Sequence, residues 1–189
     1  MKRTPHSLET IQRKLYSAVI SDALDSLGYR NQSPNIDFRP YTGIETLVGR
    51  CKTTLWADMY HQDPNPYELE LNAVDSCQPG DILIAEASGS VRSGIWGELL
   101  STAARNQGCN GAIVHGAVRD IAKMRSMKFP VFATASSVYD SLHRQRVIDI
   151  DVTVKIAGVI FTPGALLYCD IDGVVVVPPE VERETLKEQ

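Results

Sequence analysis

Apolar residues recur every four positions from Ile11 through Leu15, Val19 and Ala23 to Leu27, between Ser7, a candidate cap, and Gly28, a candidate stop. That recurrence keeps one helix face apolar, so the stretch is expected to form one long helix or two short ones. Residues 29–47 carry Asn31, Pro34, Asn35, Pro40 and Gly43 without sustained periodicity, and read as an irregular connection into a strand near 48–57. Pro64-Asn65-Pro66 then opens a helix over 67–77, Pro79-Gly80 makes a turn, and 82–87 reads as a buried strand.

The small-residue loop 88–94 leads to an expected helix over 95–107, stopped by Gly108, and then to an apolar strand over 112–115. A short helix over 119–127 and a strand over 130–133 follow. Alternating or apolar runs over 147–156, 159–162, 166–169 and 174–177 complete the pattern, with Asp172-Gly173 as a tight-turn signal. Helix–strand alternation followed by successive strands predicts an α/β fold whose later portion is mainly antiparallel. The chain shows no internal repeat, low-complexity tract or linker, so residues 1–189 are expected to form one domain.

Composition narrows the function classes. The net charge is −4 and no Lys/Arg run exceeds two residues, which argues against nucleic acid as a partner. Met1-Lys2-Arg3 leads into an amphipathic segment, and no stretch approaches the roughly 18 apolar residues of a membrane span. A soluble, unexported, cytoplasmic protein is expected, without a membrane partner. Cys51, Cys77, Cys109 and Cys169 lie 26, 32 and 60 residues apart, which suits neither a C-x-x-C metal pair nor a compact disulfide framework.

Chemistry concentrates where the strand ending at His115 exits into Gly116-Ala117-Val118-Arg119-Asp120, a usual place for a ligand crevice in an α/β sheet. Twenty residues separate Glu98 from Arg119. Taken singly, a Glu in a first helical turn complements the macrodipole, and an Arg-Asp pair is usually a solvated ion pair. The segment Gly97-Glu98-Leu99-Leu100 offers helix-start amides that attract a carboxylate, with Gly94 and Gly97 keeping side chains out of the approach.

Taken together, Glu98-x20-Arg119-Asp120 resembles the signature of the class II 4-hydroxy-4-methyl-2-oxoglutarate aldolases, relatives of the regulator of ribonuclease activity A. Ser21-Asp22-Ala23-Leu24, Pro79-Gly80-Asp81, Trp96-Gly97-Glu98, Pro130-Val131-Phe132-Ala133 and the run from Asp170 to Pro178 stand in the same family order, so the resemblance covers roughly residues 18–178. It implies a swivelling β/β/α-type domain with mixed sheets and flanking helices. It also implies a divalent metal, Mg2+ or Mn2+, bound directly by Asp120 and through water by Glu98, an oxygen-rich setting suited to a hard cation. Arg119 would face the keto oxygen and carboxylate of a small 2-keto acid, and the backbone of Gly97, Glu98, Leu99 and Leu100 would bind it. The implied reaction removes a proton with metal-bound water or hydroxide, breaks a carbon–carbon bond, and leaves pyruvate enolate; the same electron sink permits oxaloacetate decarboxylation. A homotrimer, or a hexamer of two trimers, is the implied assembly.

Some positions depart from that pattern. His115 replaces a frequent Asp and Ala165 replaces another; His115 reads as a satisfied structural group, and Ala165 puts a turn or subunit packing in question. Trp96 and the cysteines read as packing residues, and Asp170 and Asp172 as turn residues rather than a second metal pair. Related enzymes often draw an acidic residue from a neighbouring subunit's longer C-terminal helix, and no residue here is assigned that role. The competing function is a non-enzymatic regulator of the ribonuclease E inhibitor type, which carries Gln after its Arg; Asp120 favours the enzyme. A methyltransferase would call for a G-x-G-x-x-G loop, which is absent, and a phosphohistidine domain for a Thr-Ser-His context that Val114-His115-Gly116 does not supply.

Overall fold

The computed structural model describes residues 7–187. The first helical stretch resolves into two helices, α1 (Leu8–Lys14) and α2 (Ser17–Ser26), because Leu15 and Tyr16 are extended. Ser7 caps α1 by accepting the Thr10 N–H, and Asp170 holds the start of α2 by accepting from the Ser17 N–H at 2.8 Å and the Ser17 hydroxyl at 2.6 Å. Each satisfies an orphan amide of a helix start. Asp170 also accepts the Asp172 N–H, so this pair has a structural employment.

The elements that follow are β1 (Arg39–Pro40), β2 (Leu47–Asp58), α3 (Glu68–Asp75), β3 (Asp81–Glu86), β4 (Gly94–Trp96), α4 (Glu98–Asn106), β5 (Gly111–Val118) and α5 (Ile121–Ser126). After them come β6 (Val131–Ser136), β7 (Gln145–Ile150), β8 (Val154–Ile156), β9 (Val159–Phe161), β10 (Leu166–Asp170), β11 (Gly173–Val177) and α6 (Glu182–Thr185). Nine strands form one curled mixed sheet with the path β1-β6-β5-β3-β2-β10-β11, to which β4 adds beside β5 and β7 beside β2. The β2, β3, β5, β6 and β4 pairings are parallel, whereas β10, β11 and β7 join antiparallel. The expected α/β architecture with a mainly antiparallel later portion is therefore observed.

Boundaries moved where tertiary pairing overrode local pattern. Residues 95–96, expected in a helix, belong to β4, because the backbone of β5 beyond the end of β3 is paired there: Gly94 opposes Ala117 and Trp96 opposes Val118. A short apolar run cannot be assigned to helix or strand by periodicity alone. For the same reason β5 continues past His115 to Val118. The run 147–156 splits because Asp151 turns left-handed at φ 55° and its carboxylate pairs with Lys52 at 2.9 Å.

Three apolar clusters hold the layers together. Leu83, Val114, Trp96 and Met124 pack the sheet against α3, α4 and α5; Ile84, Ile113, Phe132 and Phe161 fill the side that the β8–β9 hairpin covers; Ile20, Leu24, Tyr168 and Val175 seat α1 and α2. Arg50 and Glu182, both buried, pair through Nη2 and Oε1 at 2.9 Å and tie α6 to β2. All four cysteines are buried and free, and burial pushes the Cys51 thiol up to about 12, in line with a packing role. No helix among the described residues is long and apolar enough to cross a membrane.

Candidate functional site

Parallel strands that end side by side deliver their following residues to one edge of the sheet. Here Gly97 follows β4, Arg119 and Asp120 follow β5, and Asp140 lies a few residues beyond β6. Together with residues from the starts of α3 and α4 they line a cavity of about 280 Å³.

Asp120 adopts the left-handed region at φ 55°, a conformation that Asp tolerates better than most side chains. That turn directs its Oδ2 onto the backbone N–H of Glu98 at 3.1 Å, so the carboxylate satisfies the first orphan amide of α4. The amides of Leu99 and Leu100 have no acceptor among the described residues. The approach of Asp120 requires glycine at 97, since a Cβ there would lie 2.5 Å from Asp120 Oδ2. Gly94 plays the same part beside Arg119, where a Cβ would meet Arg119 Cβ at 2.8 Å.

Arg119 is anchored twice: its N–H donates to the Trp96 carbonyl at 2.9 Å, and its Nη2 donates to Asp140 Oδ1 at 2.7 Å. Asp140 also accepts from the Tyr67 hydroxyl at 2.6 Å and from the Leu142 N–H at 2.8 Å. Burial pushes the Asp140 carboxyl up, but those hydrogen bonds and the Arg119 charge outweigh it and hold the group below its usual range. Burial, the bond to Asp140 and the charge of Asp140 push Tyr67 up to about 12. Tyr67 itself sits at φ 70°, an outlying conformation for a bulky residue, and such strain concentrates at functional sites.

Of the residues singled out from sequence, Gly97, Leu99, Leu100, Arg119 and Asp120 line the cavity. Glu98 is adjacent and half-buried, engaged through its amide, and its side chain is not part of the lining. His115 lies apart, with Nδ1 2.9 Å from Glu86 Oε2, and Trp96 is buried with its indole N–H on Ser101 at 2.8 Å. Both have structural partners.

Tyr67, Glu70 and Asp140 escaped the sequence reading. One signal was available for Glu70: with Ala73 and Val74 it forms the buried i, i+3, i+4 face of α3, where a carboxylate is costly. Burial first, then the negative charge of Asp140, raise Glu70 to about 7 against the pull of Arg119. In the unfolded chain the same carboxyl ionises near 4.5. Below that pH both states are protonated and no penalty exists; as pH rises towards 7 the unfolded chain loses its proton first, so folding stability falls and stays lower above 7. Glu70→Gln is therefore expected to leave stability unchanged at pH 4 and to raise it at pH 8.5, by on the order of 3 kcal/mol. Urea denaturation at the two pH values checks this, and equal gains at both would contradict it.

A resident divalent cation can be tested against these donors. Magnesium and manganese are commonly held by one or two carboxylates, with water and substrate completing the shell. Asp120 meets that requirement: it lines the cavity, and only its Oδ2 is hydrogen-bonded by the described residues. Among the described residues no three or more His, Cys, Asp or Glu are grouped so that they could hold a metal ion by themselves, so a dry protein cage is not provided. The donors fit a hydrated hard cation and do not fit sulfur-bound zinc.

Fold and site thus define a mixed α/β protein with a polar cavity at the carboxyl ends of its parallel strands. The profile of the RraA-like family, described as Aldolase/RraA, matches residues 17–176, and the chain belongs to that family. It is 30% identical over 175 residues to a protein of Halalkalibacterium halodurans with the provisional name 4-hydroxy-4-methyl-2-oxoglutarate aldolase, covering 93% of this chain and 78% of that one. It is 27% identical over 170 residues to Protein DlpA of Legionella pneumophila, covering 90% of this chain but only 27% of DlpA. The crystal structure of Streptomyces coelicolor RraAS2, titled an unusual member of the RNase ES inhibitor RraA family, superposes with a TM-score of 0.81 at 26% identity, covering 100% of this chain and 93% of that one. The family contains both metal-dependent aldolases and RraA regulators.

Proposed function

We propose that the protein is a divalent-metal-dependent lyase that releases pyruvate from a 2-keto acid, by retro-aldol cleavage, by oxaloacetate decarboxylation, or both. The observation that carries the reading is the meeting of Arg119 and the Asp120 carboxylate in one cavity beside the start of α4. A regulator that only presents a surface has no use for a carboxylate held on a left-handed turn against Gly97, beside a guanidinium side chain packed against Gly94. Asp120 in place of the regulators' Gln supports the same choice.

In this reading Asp120 would hold the cation directly, and Glu98, whose side chain is outside the cavity lining, would reach it only through water. When bound, the cation withdraws electron density from the keto oxygen and the carboxylate and so makes a carbanion at C3 tolerable. The amides of Leu99 and Leu100 hold the substrate carboxylate at the positive end of α4. Arg119, kept in place by Asp140, supplies a permanent charge near the developing enolate oxygen. Cleavage of the bond beyond C3 leaves pyruvate enolate, and protonation at C3 gives pyruvate.

Purified protein supplied with Mg2+ or Mn2+ is expected to release pyruvate from oxaloacetate above the metal-only background, and to lose that activity in excess chelator. Pyruvate release that is indifferent to chelator, or none with any 2-keto acid, sinks the reading. Exposed Leu99, Val138 and Tyr139 close to the cavity-lining residues are consistent with a trimer or a hexamer, for which light scattering should return three or six chain masses.

A further inference from the structure

The cavity has an uneven charge inventory. Its described lining contains three carboxylates, Glu70, Asp120 and Asp140, and one guanidinium, Arg119. The guanidinium is already matched, with Nη2 2.7 Å from Asp140, and Tyr67 reinforces that partner through its hydroxyl. A bound divalent cation would be matched by Asp120 and the substrate's own carboxylate. For a second substrate carboxylate no unmatched cation remains among the described lining residues. It would instead share the cavity with Glu70, whose residue is 7% exposed and whose carboxylate makes no hydrogen bond to the described residues. A like charge brought near a desolvated carboxylate is repelled, and such repulsion gives specificity by excluding the wrong ligand.

The remaining lining points the same way. Leu71, Ile95, Leu99 and Leu100 offer apolar surface, and Tyr67 and Ser141 offer neutral hydroxyls. Those groups suit an alkyl or hydroxyalkyl tail.

We propose that the cavity selects 2-keto acids with a single carboxylate and an uncharged far end, 4-hydroxy-2-keto acids that split into pyruvate and a neutral aldehyde, over dicarboxylate 2-keto acids. The proposal rests on the lyase reading and names its substrate class. For 4-hydroxy-2-oxopentanoate, the 4-hydroxyl gives its proton to a base and the C3–C4 bond breaks. The bonding pair moves into the enolate, acetaldehyde departs, and C3 takes up a proton to give pyruvate. Nothing else is consumed.

The test pairs rates with binding. At pH 8.5, above the value of about 7 to which Glu70 is raised, and with saturating Mg2+, pyruvate release from 4-hydroxy-2-oxopentanoate should exceed that from oxaloacetate and from 4-hydroxy-4-methyl-2-oxoglutarate at least tenfold in kcat/KM, after subtraction of the metal-only rate. Glu70→Gln should shrink that ratio at least fivefold. Calorimetry with two ligands that cannot undergo the cleavage, 2-oxopentanoate and 2-oxoglutarate, should give at least tenfold tighter binding of the first to the Mg2+-loaded protein. Equal binding, tighter binding of 2-oxoglutarate, or no binding of either overturns the selectivity, whatever the rates. Pyruvate release from none of the three substrates, with 2-oxopentanoate still preferred, overturns the lyase reading and leaves the charge selection standing.

Discussion

Replacing Asp120 by asparagine is expected to lower metal-dependent pyruvate release by about three powers of ten, since in the proposed lyase it removes the direct metal ligand, which forfeits several kcal/mol of transition-state stabilisation, and each 1.36 kcal/mol is tenfold. The choice of asparagine follows from the geometry. The Asp120 backbone is left-handed and its Oδ2 accepts the Glu98 N–H, so alanine would add backbone strain and uncap α4 together. Asparagine tolerates the same φ and keeps an acceptor oxygen, while removing the charge proposed to bind a hard cation. The variant should keep its melting temperature within a few degrees and lose Mn2+ affinity by paramagnetic resonance. Activity within tenfold of the parent would remove Asp120 from the metal site.

Gly97→Ala is expected to cost at least about 10²-fold in pyruvate release, because displacing a positioned group by about 1 Å is enough for a loss of that size. The backbone at Gly97 is extended, at φ −155°, so alanine meets no conformational penalty there. The effect is steric and local: the new Cβ would sit 2.5 Å from Asp120 Oδ2 and 3.3 Å from Arg119 Cγ. The carboxylate must swing away, giving up the Glu98 amide and its place in the cavity. Mn2+ affinity should fall together with activity, whereas a variant that binds Mn2+ like the parent and turns over normally would show that the close approach is dispensable.

Much of the site was legible because its residues follow one another at strand exits. The pair Arg119-Asp120 directly follows β5, and Gly97 separates β4 from α4, so a motif spaced along the chain could be read as a place in space. Tyr67, Glu70 and Asp140 could not be read that way. They come from α3 and its N-cap and from the segment between β6 and β7, and Tyr67 lies 73 positions before the Asp140 carboxylate that it reaches. The ion pair between Asp140 and Arg119 decides the charge left for a substrate, and no local pattern announces it.

The sequence by itself determined most of the order of helices and strands, the Asp172-Gly173 turn, the packing role of Trp96 and the cysteines, and the family, because periodicity, turn chemistry and fixed spacing are properties of neighbouring residues. Only the tertiary structure decided that residues 95–96 form a strand, that Asp120 caps α4, and that Glu70 is buried beside an ion pair. Those outcomes depend on which distant backbone edge is left to pair and which charges are desolvated together, and both arise only once the sheet has closed.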